Sequence, residues 1–199
     1  MNIESQPFVL AMKGHPGTGK STLARAAAAA LRCPLLDKDD VRGPTLPVQH
    51  HLIEANTAGA DSAALLNDLS YAVLWRVAET QLGLGLSVVI DSPLSRRAHL
   101  DHLRSLSAKT GARIAVVECR PSDEAEWRRR LEARVAAGED GGEGWHKPAT
   151  WAELRRLVES YEGGSDYEFG GVPRLVVDTT AAEAEDMVAA IVEFVETGS

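Results

Sequence analysis

An α/β fold, a parallel sheet covered by helices on both faces, is predicted by three features of the sequence. Five short apolar runs alternate with stretches of helical periodicity. Three of those runs close on an aspartate, Asp37, Asp91 or Asp178, as strands do where they reach the polar end of a buried sheet. The first run feeds directly into a glycine-rich loop. With 199 residues, 44% hydrophobic and 25% charged, the chain suits a single domain spanning 1–199.

The elements follow in order. Phe8 to Met12 is the first strand, and Ser21 to about Leu31 reads as a helix rich in alanine, the best helix former. Pro34-Leu35-Leu36 is a second brief strand that ends in Asp37-Lys38-Asp39-Asp40; a proline-bearing connection, Gly43 to Pro47, comes next. From about Ala60 to Leu82 the apolar positions Ala64, Leu65, Leu69, Ala72, Val73, Val77 and Ala78 recur at helical spacing and predict a long amphipathic helix, closed by Gly83 and Gly85. Leu86 to Ile90 is a β-branched strand, Arg96 to about Lys109 a helix, Arg113 to Cys119 a strand, and Asp123 to Ala136 a helix. A glycine-rich stretch, Gly138 to Gly144, precedes a short helix near Trp151 to Tyr161. Arg174 to Asp178 and a helix from about Ala181 to Val195 close the chain.

Gly14-His15-Pro16-Gly17-Thr18-Gly19-Lys20-Ser21 matches G-x-x-x-x-G-K-[ST] at every fixed position, between a predicted strand and a predicted helix. This is the phosphate-binding loop of the three-layer P-loop NTPase fold, for which short right-handed βα units predict the strand order 2-3-1-4-5. Its glycines let backbone N–H groups converge on phosphate oxygens, and the helix N-terminus adds partial positive charge. Gly14, Pro16, Gly17, Thr18, Gly19, Lys20, Ser21 and Thr22 are therefore the expected ATP contacts. Lys20 is expected to reach the β- and γ-phosphates and the Ser21 hydroxyl to ligate Mg²⁺. Asp91, at a strand end, is the expected second magnesium-side residue; a helix N-cap is the competing role.

The GxPGxGKST loop, Asp39-Asp40-Val41-Arg42 after the second strand, an Ile-Asp-x-x-x-x-x-Arg segment beginning at Ile90 and the Arg130-x-x-x-Arg134 helix resemble the zeta-toxin and polynucleotide-kinase branch of P-loop kinases. That branch also holds gluconate kinase-like and chloramphenicol phosphotransferase-like enzymes. The resemblance runs from about Phe8 to Arg134 and implies that Asp39 removes the acceptor hydroxyl proton while Arg42 helps hold the reacting groups. A carboxylate at the mouth of the sheet can accept such a proton, and the i, i+3 spacing puts Arg42 on the same helical side. Strand periodicity leaves Asp37 as the rival base, and an N-capped, solvated charge cluster as the structural alternative.

Arg130 and Arg134 can emerge together beside the apolar seam of Trp127, Leu131 and Val135, where a lid over 124–162 would bring them to the equatorial oxygens of the transferred group. A solvated helix face is the plainer alternative, and the glycines from Gly138 to Gly144 would supply the hinge. His15 is given no catalytic role, His50 and His51 either face solvent or line the substrate pocket, and the Asp178-Thr179-Thr180 loop lies near the adenine only by resemblance. The two cysteines, Cys33 and Cys119, have neither CxxC nor metal-ligand spacing and read as small buried hydrophobes.

A formal charge of −8 disfavours long nucleic acid and anionic membranes as partners. No apolar stretch approaches a membrane span, and the N-terminus lacks signal-peptide features, so a cytoplasmic location is expected. Together these features predict a kinase that uses ATP and Mg²⁺ to phosphorylate a hydroxyl of a small molecule such as an antibiotic, sugar, cyclitol or nucleoside. The alternatives are a polynucleotide 5′-hydroxyl or nucleotide-sugar kinase and a non-catalytic, nucleotide-dependent regulatory module. Oligomeric state and acceptor identity leave no trace in the sequence.

Overall fold

Strand β1, Phe8–Lys13, buries every residue after its first, because it lies at the centre of the sheet and both its faces meet helices. The computed structural model describes residues 6–55, 62–136, 147–160 and 166–198. The order of the five strands is β2-β3-β1-β4-β5, with β2 at Leu35–Asp37, β3 at Val88–Asp91, β4 at Arg113–Arg120 and β5 at Arg174–Asp178. Every pairing is parallel, as the sequence predicts.

Alternation along the strands sorts two apolar layers. Val9, Ala11, Val88, Ile90 and Val116 face helix α4, Ser62–Gly83, and helix α5, Arg97–Thr110. Leu10, Met12, Val89, Ala115 and Val117 face helix α1, Lys20–Leu31, and the C-terminal helix, Ala184–Thr197. The alanine run has a packing purpose here: Ala24, Ala27 and Ala28 are buried and let α1 approach its neighbours closely. Cys119 is buried and Cys33 half-buried, both unpaired.

Between β2 and α4 the chain does more than connect. Lys38–Arg42 forms the short helix α2, Gly43–Thr45 a 3-10 turn, and Leu46–Glu54 the helix α3, whose first turn accommodates Pro47 because the amides there need no intrahelical partner. Helix α6 spans Glu124–Ala136 and helix α7 Trp151–Ser160. The C-terminal helix, α8, starts at Ala184 rather than Ala181, since Asp178 draws Thr180 into a turn first, accepting from its amide and its hydroxyl. The expected start of the long helix at Ala60, the Gly138–Gly144 stretch and Tyr161 lie outside the described residues.

Helix α4 is present, but most of the apolar stripe that predicted it points away from the core. Leu65, Leu69, Val73 and Val77 are 60%, 51%, 36% and 38% exposed, whereas Leu66, Ser70, Leu74, Trp75, Ala78 and Leu82 are buried. Ser70 sits on the inner face without penalty because its hydroxyl donates to the Leu66 carbonyl at 2.7 Å.

Candidate active site

The phosphate loop takes its shape from glycines. Gly17 and Gly19 have φ of +80° and +81°, a region costly for any residue with a Cβ, and Gly19 ends the loop as the N-cap of α1. The first bond inside the helix is Leu23 N–H to the Gly19 carbonyl, 3.1 Å, so the amides of Lys20, Ser21 and Thr22 have no partner within it. Thr18 is turned inward, its hydroxyl donating to the His15 carbonyl at 2.8 Å, and Gly14 N–H reaches the Pro93 carbonyl. Ser21 is half-buried and Thr22 exposed on α1. The loop thus presents converging amides at a helix N-terminus, an anion-binding arrangement.

Lys20 Nζ donates to Asp91 Oδ1. Burial pulls the pKa of this lysine down, but Asp91, then Asp39 and Asp37, overcome that and hold it above the ordinary value. Asp91 is buried at the end of β3, and its other oxygen, Oδ2, has no hydrogen-bond partner among the described residues; the same holds for Ser92 Oγ. Asp37 is the register partner of Asp91 across β2 and β3. Burial, then the Asp91 charge, push the Asp37 carboxyl up to about 6.

Asp37 and Asp39 differ in what they touch. Asp37 is buried and caps α2, its Oδ1 accepting from the Asp39 amide at 2.9 Å. Asp39 is held by two ammonium groups, with Lys38 Nζ 3.1 Å from Oδ1 and Lys147 Nζ 2.7 Å from Oδ2. Arg42 is buried on the same short helix and donates to Thr45 Oγ1 at 2.5 Å and Gln49 Oε1 at 2.8 Å. Lys38 also reaches Asn67 Oδ1 at 3.5 Å and lies 5.8 Å from the ring centre of Tyr71.

On the other side of the loop, Arg130 donates to the Thr179 carbonyl at 2.8 Å and to Glu126 at 2.8 Å, with Nη1 placed over Gly19. Arg134 points elsewhere, donating to the Pro148 carbonyl at 2.8 Å. The Asp178-Thr179-Thr180 turn joins the site through Thr179, next to Gly19 and Arg130. Trp127, read from sequence only as part of an apolar seam, donates its indole N–H to the Pro16 carbonyl at 2.9 Å. Lys38, Lys147 and Asn67 were not singled out in the sequence; of these, Lys38 had a signal, since it stands between the two aspartates.

Residues 9–161 match the family model described as AAA domain. The chain belongs to this AAA-domain family. No curated protein matches it in sequence. Among solved structures, this AAA-domain chain is similar to a candidate kinase from Chloroflexus aurantiacus at 22% identity and TM-score 0.69, with 98% of each chain covered. It is also similar to a sugar kinase from Janibacter sp. HTCC2649 at 16% identity and TM-score 0.63, covering 96% of this chain and 95% of that one. A third is the APS kinase of Mycobacterium tuberculosis, solved with AMPPNP and APS, at 19% identity and TM-score 0.58, covering 96% of this chain and 98% of that one. At these identities the likenesses establish the fold, that of the small P-loop kinases. Among the described residues no helix of the AAA-domain chain is long and apolar enough to cross a membrane.

Proposed function

We propose that the chain is an ATP-dependent kinase that transfers the γ-phosphoryl group to a hydroxyl of a small molecule. The observation that carries this reading is geometric: Lys20 of the phosphate loop pairs with Asp91, and Asp37, the register partner of Asp91 across β2 and β3, caps the short helix that carries Asp39. The nucleotide side and a candidate base therefore share one end of the sheet, where ligands of open parallel sheets bind.

The residues present fit a magnesium ion with the nucleotide. Ser21 offers a hydroxyl beside the loop, and Asp91 keeps a buried carboxylate oxygen with no protein partner among the described residues. Magnesium in such sites needs only one or two protein oxygens besides phosphate and water, and when bound it neutralises charge between the β- and γ-phosphates. In this reading Ser21 and Asp91 would hold the ion directly or through water, with Asp37 beside Asp91.

The loop amides from Gly17 to Ser21 hold the phosphates, and Lys20 follows the migrating charge. Asp39 takes the proton of the acceptor hydroxyl; the acceptor oxygen forms the new bond to γ-phosphorus, and the electron pair of the breaking β–γ bridge leaves on ADP. Arg42 fixes α2 through Thr45 and Gln49 and thereby the position of Asp39. Arg130, over Gly19, is placed to act as an arginine of the lid 124–162, whereas Arg134 would have to turn from the Pro148 carbonyl to join it. The reading is tested by screening hydroxyl acceptors with ATP and Mg²⁺ for ADP formation, with Asp39→Asn as control. ATP binding without acceptor-dependent ADP in any acceptor class would overturn it.

A further inference from the structure

We infer that the acceptor carries an anionic oxygen group, carboxylate or phosphate, beside the hydroxyl that is phosphorylated, and that Lys38 and Lys147 recognise it. The inference rests on the kinase reading of the same site.

Both oxygens of Asp39 are engaged, Oδ1 by Lys38 at 3.1 Å and Oδ2 by Lys147 at 2.7 Å. Each oxygen keeps a lone pair, but two ammonium groups weaken the carboxylate as a proton acceptor, so drawing one lysine away would make Asp39 a better base. Two ammonium groups converge on this one carboxylate, in a chain whose formal charge is −8. Lys38 reaches it from the interior: its side chain is 7% exposed, and burial outweighs Asp39 to hold its pKa below the ordinary value. A buried ammonium that shares its carboxylate with a second lysine is costly as pure scaffolding. It is what an anionic ligand needs, because an arriving anion draws Lys147 away and frees Oδ2.

The surroundings suit such a ligand. Lys38 lies between Asn67 Oδ1 and the ring of Tyr71, on which His99 is stacked at 4.2 Å. His99 is nine-tenths buried, and its Nδ1 has no hydrogen-bond partner among the described residues. Burial, then Arg96, push this imidazole down to about 4, so it stays neutral and can hydrogen-bond a polar acceptor without adding charge. Lys147 comes from the segment before α7, so the anion would bridge that segment to α2.

The test fills the phosphate loop with Mg²⁺ and a non-hydrolysable ATP analogue. Hydroxy carboxylates and sugar phosphates are then titrated calorimetrically, as separate arms, each beside its neutral parent alcohol. Members of one charged arm are expected to bind, with affinity reduced about 10- to 100-fold by Lys147→Met and by Lys38→Met, the usual worth of a hydrogen bond to a charged group. Lys147 is on the surface side of the pair, so its variant remains informative if Lys38→Met folds poorly. The inference is overturned if neither arm binds the analogue-loaded protein, if neutral parents bind as tightly, or if Lys147→Met binds the charged members unchanged. ADP release is read separately: anion binding without ADP from any member removes the kinase reading alone, whereas equal ADP from neutral and charged acceptors removes the anion site alone.

Discussion

The indole N–H of Trp127 donates to the carbonyl of Pro16 across 2.9 Å, fastening helix α6 to the phosphate loop. A Cβ placed on Gly17 would lie 3.2 Å from Trp127 Nε1, and Trp151 of α7 packs edge-on against the same indole at 5.1 Å. The arginines of α6 are therefore registered on the loop through an aromatic hinge-pin, and the loop conformation depends on it.

Trp127→Phe keeps the ring and deletes the donor. Losing a hydrogen bond worth about 1 kcal/mol should weaken ATP-analogue binding about fivefold, with Trp127→Ala weaker still. Calorimetric titration checks this. Wild-type affinity in both variants would mean that α6 does not shape the loop.

Lys20→Ala should cripple phosphoryl transfer by removing the cation that follows the charge, and should free the Asp91 carboxylate with which Lys20 pairs. Ser21→Ala should mainly raise the Mg²⁺ requirement. Turnover as a function of Mg²⁺ at saturating ATP separates the two, and unchanged turnover in both contradicts the assignment.

Glu118 receives three cations: Lys13 at 2.7 Å, Arg120 at 2.8 Å and Arg174 at 3.1 Å. Burial alone would raise its pKa, but the hydrogen bonds from Lys13 and Arg120 prevail and hold it below the ordinary value. The contribution to stability is thus present above the usual glutamate range and lost as pH falls through the depressed native value. Glu118→Gln should cost about 2–4 kcal/mol near neutrality, mostly through buried Lys13, since Arg120 and Arg174 are screened by solvent. Urea unfolding at several pH values should show a flatter acid limb in the variant; a limb as steep as wild type would rule this out.

The two faces of α4 make a paired prediction. Leu74→Ala, at a position 2% exposed, should cost about 2–5 kcal/mol, while Leu69→Gln, on the outer stripe, should change stability by no more than about 0.5 kcal/mol. Chemical denaturation decides, and the reverse order would place the stripe inside.

Sheet order and the phosphate loop were legible in the sequence because they depend on local pattern: β-branched runs, helical spacing and glycines at fixed positions. The inner face of α4 was not, because Ser70 satisfies its hydroxyl within the helix and so breaks the apolar pattern at a buried position. Contacts between distant segments leave no periodic mark either. Lys147 meets Asp39, and Trp127 meets Pro16, across most of the chain, and only folding reveals those pairs. The different contacts of Asp37, which caps α2, and Asp39, which meets two lysines, likewise had no mark in strand periodicity.

Asp37 accepts the Asp39 amide and sits opposite Asp91, while Asp39 turns its carboxylate toward the lysines. If Asp39 is the base, Asp39→Asn should leave ATP-analogue affinity nearly intact and lower turnover about 10²- to 10⁴-fold, the usual worth of general-base catalysis. Asparagine caps a helix as well as aspartate does, so Asp37→Asn should preserve α2; its effect should appear in the Mg²⁺ dependence rather than as loss of the acceptor-side proton transfer. Full activity in Asp39→Asn with abolition in Asp37→Asn at saturating Mg²⁺ would exchange the two roles. If both variants retain full activity, no carboxylate on α2 serves as the base. Acceptor-dependent turnover absent from the wild type as well, with ATP still bound, would mark the chain as a nucleotide-binding module.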